Sequence, residues 1–219
     1  MFKGSEVPRQ SPREARHGQP LSLSLGATSG GSATAGDELL DWAAGHADEM
    51  LAALGDCWAH SRAVGERARS IGPAFAREDR VHLIAAAYLH DVGYAPALAQ
   101  TGFHAIDGAR HLRSLGHERL ARLVAHHSEA RFEARLRGLD RELREFPREP
   151  SAVADALTWC DMTIGSTGEP MTLHERTLDI AVRYGNDHTA TRALSWSMSY
   201  LSLSFARTER RLRMRGLTL

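Results

Sequence analysis

The sequence predicts an all-α fold, a single multi-helix bundle behind a disordered N-terminal tail. Three observations predict it. Apolar residues recur at helical spacing from Asp37 almost to the C-terminus. No convincing strand run and no internal repeat is present. Residues 1–36 differ from the rest: Pro8, Pro12, Pro20 and a Gly/Ser/Thr/Ala run ending at Gly36 offer little to bury.

The elements follow in order. Asp37 is placed to cap a helix through Leu39, Leu40 and Trp42. Met50, Leu54, Cys57, Ser61, Val64, Ala68 and Ile71 keep the spacing until Gly72-Pro73 ends the run. A second helix covers about residues 80–91, with Val81, Ile84, Ala85, Tyr88 and Leu89 as its apolar set, and Gly93 and Pro96 stop it. A third covers about 104–115, closed by Gly116. A fourth starts near His117 and carries Leu120, Leu123 and Val124. Residues 131–150 are densely charged and end in Pro147 and Pro150, which reads as a short helix or lid and a turn. A further helix covers about 151–162. Thr172 and Glu175 form a capping box for a helix ending at Gly185, and a last helix covers about 188–215.

A chain of 219 residues can bury a sizeable core. Lys+Arg and Asp+Glu both number 27, so no net field draws the protein to a nucleic-acid polymer or an anionic membrane. Two cysteines, Cys57 and Cys160, make no disulfide framework, and a reducing cytoplasm is the expected location. No apolar run approaches the roughly 20 residues of a membrane span, and Leu21-Ser22-Leu23-Ser24-Leu25 is too interrupted for a signal-peptide core.

The twelve histidines carry the functional argument through where they fall. His60 lies about 40° round its helix from Val64. His90 and Asp91 close the apolar run that ends at Leu89. His127 continues Leu120, Leu123 and Val124, and Asp161 continues Ala154, Leu157 and Thr158. A single inward histidine is ordinarily a hydrogen-bonded core residue. Several helices that each turn a His or Asp inward point instead to a metal ion, whose charge offsets the cost of burying carboxylates.

The ordered segments CWAHSRAVGERA, AAAYLHDVGYAP, TGFHAIDGARHLRSLG, LVAHHSEA and ALTWCDMTIG resemble the HD-domain superfamily over about residues 45–170. On that resemblance the domain runs over 37–219, with residues 171–216 as its C-terminal helices. The resemblance implies that His60, His90, Asp91 and Asp161 hold a first metal. His104 and one or both of His126 and His127 match positions that bind a second metal or the substrate phosphate, and helical periodicity favours His127 as the inward one. The implied cofactor is one or two divalent transition-metal ions, drawn from Mn, Fe, Zn, Co or Ni.

The implied activity is hydrolysis of a small phosphate ester or nucleotide by a metal-activated water, with His104 or His127 neutralising the phosphate or protonating the leaving oxygen. Arg131, four residues beyond His127, is a candidate to meet the phosphate, with a solvated charged face as its plainer role. Cys57 and Cys160 neighbour the ligand positions but read as small hydrophobes. Gly93 and Gly108 read as a helix stop and a close helix contact. Asp56 and Cys57 stand where some multinuclear relatives have a glutamate, and no Gly-Tyr-Pro follows HHSEA, which sets the chain apart from cyclic-dinucleotide phosphodiesterases. The resemblance also reaches HD-type di-iron oxygenases, which use the same ligand types, and a metal-binding sensory module without turnover is a third reading. The sequence carries no sign of oligomeric state.

Overall fold

The computed structural model describes residues 34–217. Among them are ten α-helices and no strand, apart from one isolated bridge between Ile164 and Pro170. The expected tail falls on residues outside those described, except at its end: Ala35 and Gly36 already belong to the first helix, α1 (Ala35–Leu51). Its cap is Thr34 rather than Asp37. The Thr34 hydroxyl accepts the Asp37 N–H, and the Asp37 carboxylate accepts the Thr34 N–H in return, so Asp37 is the far half of a capping box.

The long run expected from Asp37 to Ile71 is two helices. A single turn, Ala52–Leu54, and Gly55 at φ +53° separate α1 from α2 (Asp56–Ile71). Helical spacing survives such a turn in sequence, so periodicity alone did not reveal the break. Helix α3 (Arg77–Leu89) begins three residues before its expected start and ends at Leu89, which leaves His90 as its C-cap and Asp91 just beyond. Then come α4 (His104–Ser114), α5 (Glu118–His126) and two short helices, α6 (Arg131–Arg137) and α7 (Asp140–Leu143), in the charged segment. Helix α8 (Ala152–Asp161) is capped by the Ser151 hydroxyl, α9 (Leu173–Tyr184) has the Thr172/Glu175 capping box, and α10 (Thr189–Met214) closes the chain.

Helix α3 is the axis of the bundle, packing against α1, α2, α5 and α8. Every residue from Leu83 to Leu89 is buried, so the helix is apolar nearly all round, the pattern of an interior helix. Its C-terminal end therefore opens inside the protein. His90 and Asp91 stand there, where the flanking ends of α2, α4, α5 and α8 meet.

Candidate metal centre

Six inward side chains meet at the end of α3, and backbone contacts set their orientation. His60 on α2 has Nδ1 2.9 Å from the Gly165 carbonyl oxygen. His90 places Nδ1 2.8 Å from the Ala87 carbonyl, and His127 places Nδ1 2.6 Å from the Val124 carbonyl. A carbonyl oxygen only accepts, so Nδ1 carries the proton in all three rings and a neutral ring turns the Nε2 lone pair to the interior.

Those lone pairs converge. The Nε2 atoms of His60 and His90 are 3.3 Å apart, as are those of His104 and His127. With His60 and His90 both neutral, as ligation requires, no N–H would be left to share and two lone pairs would face each other; without metal, a proton on His60 shared with Asp161 relieves this. A cation between them removes that conflict, and backbone-fixed imidazoles are what a metal site requires of its ligands. The carboxylates complete the donor set. Asp161 Oδ1 is 3.1 Å from His60 Nε2 and 3.8 Å from His90 Nε2. Asp91 faces both histidine pairs: Oδ2 lies 3.4 Å from His90 Nε2, and Oδ1 lies 3.5 Å from His104 Nε2. The donors thus form two groups, His60/His90/Asp161 and Asp91/His104/His127, each with its ligand atoms within 4.8 Å of one another. The residues present fit divalent transition metal.

Protonation agrees with that chemistry. Burial alone would raise Asp161, but the His60 hydrogen bond and the neighbouring imidazoles outweigh it and hold the carboxyl well below the usual range. Asp91 is likewise lowered against its burial, chiefly by His90 and His104. Burial pulls His90 down, and pulls His104 down to about 3 despite the nearby Asp91. Burial also works against a charged His60, but there Asp161 and Asp91 prevail and the value rises. The centre holds ionised carboxylates beside neutral His90 and His104.

Three supports were not legible in the sequence. Ser128 adopts φ 47° and ψ 34°, a left-handed conformation uncommon for serine, and Glu129 follows at φ 58°. This turn lets the Ser128 hydroxyl donate to Asp161 Oδ2, fixing the carboxylate from the side opposite His60. The Tyr94 ring stacks on His104 at 4.2 Å between centroids. Asp107 accepts the N–H groups of Gln100, Thr101 and Gly102, which locks the loop leading into His104. Nothing in a local pattern marks a serine for positive φ. Asp107 did stand in the TGFHAIDGAR segment, three residues after His104, but its burial and its hold on the preceding loop emerge only in the fold.

His126 and Arg131 are brought into neither group. His126 points the other way, with Nε2 2.6 Å from the Phe146 carbonyl, because successive residues lie about 100° apart on a helix. Arg131 is held by Glu129 at 2.7 Å and lies over the Tyr200 ring at 4.3 Å. Neither cysteine belongs to a ligand group. Burial, followed by the Asp91 charge, pushes the Cys57 thiol up to about 12, and burial raises Cys160 as well.

Gly93 and Gly108 are a close backbone contact. A methyl group at Gly93 would overlap the His104 carbonyl oxygen and the Gly108 nitrogen, which belong to the first turns of α4. Gly93→Ala is therefore expected to destabilise the protein by about 3 kcal/mol or more, since backbone cannot yield as a side chain does. Thermal melts together with metal content would check it. A variant as stable as the wild type with full metal content would mean that α4 does not rest on Gly93.

An interior cluster of imidazoles and carboxylates at the meeting point of several helix ends defines a helical protein with a candidate metal-binding centre. The chain belongs to the HD-domain family: residues 57–187, more than half of it and all six clustered residues, match the HD domain. HD domains bind divalent metals, and the family also has non-hydrolytic members. Comparison with curated proteins and with solved structures gave no match. Among the described residues no helix is long and apolar enough to cross a membrane.

Proposed function

We propose that the protein is a phosphohydrolase that cleaves a small phosphate ester or nucleotide, using two divalent transition-metal ions. The observation that carries this reading is the convergence of backbone-fixed imidazole Nε2 atoms on two ionised carboxylates. His60, His90 and Asp161 would hold one ion and His104 and His127 the other, with Asp91 between them. When bound, such ions activate water and neutralise phosphoryl charge.

The remaining work belongs to the chain's own groups. Ser128 and His60 orient the two oxygens of Asp161. Tyr94 stacks on the plane of His104 and, with its side chain half-exposed, presents a phenol hydroxyl, which is protonated at neutral pH. A protonated phenol at that edge can donate a hydrogen bond to a phosphate oxygen. His104, neutral far below pH 7, suits a ligand better than the general acid that the sequence also allowed. A balanced net charge favours a small substrate over a nucleic-acid polymer, and the cysteine usage favours the cytoplasm.

The di-iron oxygenase reading draws on the same four imidazoles and two carboxylates. Metal-loaded protein assayed with a phosphodiester, a phosphomonoester and a nucleotide panel separates the two. Phosphate release that is equal with and without air is the expected result. Oxygen consumption without phosphate release would replace hydrolysis by oxygenation, and inertness toward the whole panel in fully loaded protein would favour a sensory module.

A further inference from the structure

A cavity of about 490 Å³ lies beside the His/Asp cluster, walled by α5, the 148–151 segment, α8 and α10. His127 borders it, but His60, His90, Asp91, His104 and Asp161 do not. Four arginines line it: Arg122, Arg148, Arg207 and Arg211.

The carboxylates on its wall are already engaged. Glu129 is held by Arg131 at 2.7 Å and Arg148 at 2.5 Å. Glu149 pairs with Arg119 at 2.9 Å. Asp155 accepts the Ser204 hydroxyl at 2.7 Å and lies 3.6 Å from Arg207. Arg122 donates through Nε to the Pro147 carbonyl, and Arg211 lies over the Phe75 ring. Among the described residues no carboxylate stands within ion-pair distance of either, so both keep N–H donors for another acceptor.

Two further atoms call for a ligand. The Thr208 hydroxyl, on a residue only 2% exposed, has no partner within the protein, and neither does His126 Nδ1. Both residues line the cavity. Since Nε2–H of His126 is spent on Phe146, its Nδ1 is an acceptor. The first turn of α8 opens on the same space through Ser151 and Ala152, where helix geometry leaves N–H groups unsatisfied. Planar cationic donors, a buried hydroxyl donor and one acceptor for an O–H together describe a partly protonated phosphate group.

We infer that this cavity is a second, phosphate-binding site, distinct from the metal centre. Its wall shares the His126–Glu129 turn, whose Ser128 holds Asp161 and whose Glu129 is tied to Arg148. A ligand that draws on Arg148 therefore touches the segment that shapes the metal centre. The site takes either free phosphate or the phosphate of a small carrier.

Calorimetric titration of the metal-loaded full chain with inorganic phosphate tests the inference. Saturable binding is expected in the wild type and in Asp161→Asn. The Arg122→Gln/Arg211→Gln double variant should bind roughly tenfold more weakly or worse, the loss expected for charge-assisted hydrogen bonds. Thr208→Val, which keeps shape and removes only the hydroxyl, should weaken binding without lowering the melting temperature, and it decides the matter if the double variant fails to fold. A nucleoside monophosphate that binds more tightly than phosphate identifies a carrier, and equal affinities identify the free ion. Absence of saturable binding would overturn the inference. So would binding that disappears in Asp161→Asn but persists in the arginine and threonine variants, since phosphate would then sit at the metal centre.

Discussion

Asp161→Asn is expected to abolish turnover, by about two orders of magnitude or more, while the metal-free fold survives. Asparagine keeps the shape of the buried side chain and loses only its charge. In the metal-loaded protein that charge is one of three donors in its group, so the variant should bind metal weakly. It should then lose the stabilisation that ligation gives the native state, about 2.7 kcal/mol at a hundredfold excess over Kd.

The metal-free protein behaves differently, and pH sets the sign. His60 titrates above 6.5 in the folded state because Asp161 accepts its hydrogen bond. That pairing contributes stability fully present below about pH 6.5 and lost as pH rises through the raised value. Asp161 titrates below 3.8 because the His60 hydrogen bond and neighbouring imidazoles outweigh burial, so its side of the same pairing is present above that point while His60 stays protonated, and is lost on acidification through the lower folded value. With chelator, the variant should be less stable than wild type near pH 5 and equal or more stable at alkaline pH, where an unpaired buried carboxylate is a cost. Melting curves with metal and with chelator at both pH values check this. Equal shifts under all four conditions, with retained activity, would remove Asp161 from the centre.

Asp91→Ala is expected to have the largest effect on metal content. Its two oxygens face different groups, Oδ2 toward His90 and Oδ1 toward His104. Removing it takes a donor from both, whereas His127→Ala takes one from a single group and His90→Ala one from the other. Wild-type protein should carry two ions per chain, each histidine variant about one, and Asp91→Ala fewer than either. Elemental analysis after dialysis decides among these. Equal metal in Asp91→Ala and wild type would end the reading of Asp91 as the shared carboxylate. One ion in wild type, kept by His127→Ala and lost by His90→Ala, would reduce the centre to a single site.

The sequence by itself determined which residues turn inward. On a helix each residue's direction follows from its neighbours at about 100° per step, so Val64 locates His60, Val124 locates His127, and Leu157 locates Asp161 without any knowledge of the fold. Two other local rules, reciprocal capping hydrogen bonds and glycine's access to positive φ, place the Thr172/Glu175 cap and the Gly116 stop. Tertiary structure alone decided the rest. The break at Gly55 is invisible to periodicity, because a short turn preserves the spacing on either side. Ser128 reaches Asp161 only through a left-handed turn that its residue type does not advertise. Arg131, placed by sequence near the phosphate, is paired with Glu129, a partner two residues away that is buried where the 127–129 turn packs on α8 and α10. The division of six donors into two groups sharing Asp91 depends on where five helix ends meet. Distances between helices come from packing and turn geometry, and these are properties of the whole chain rather than of any window within it.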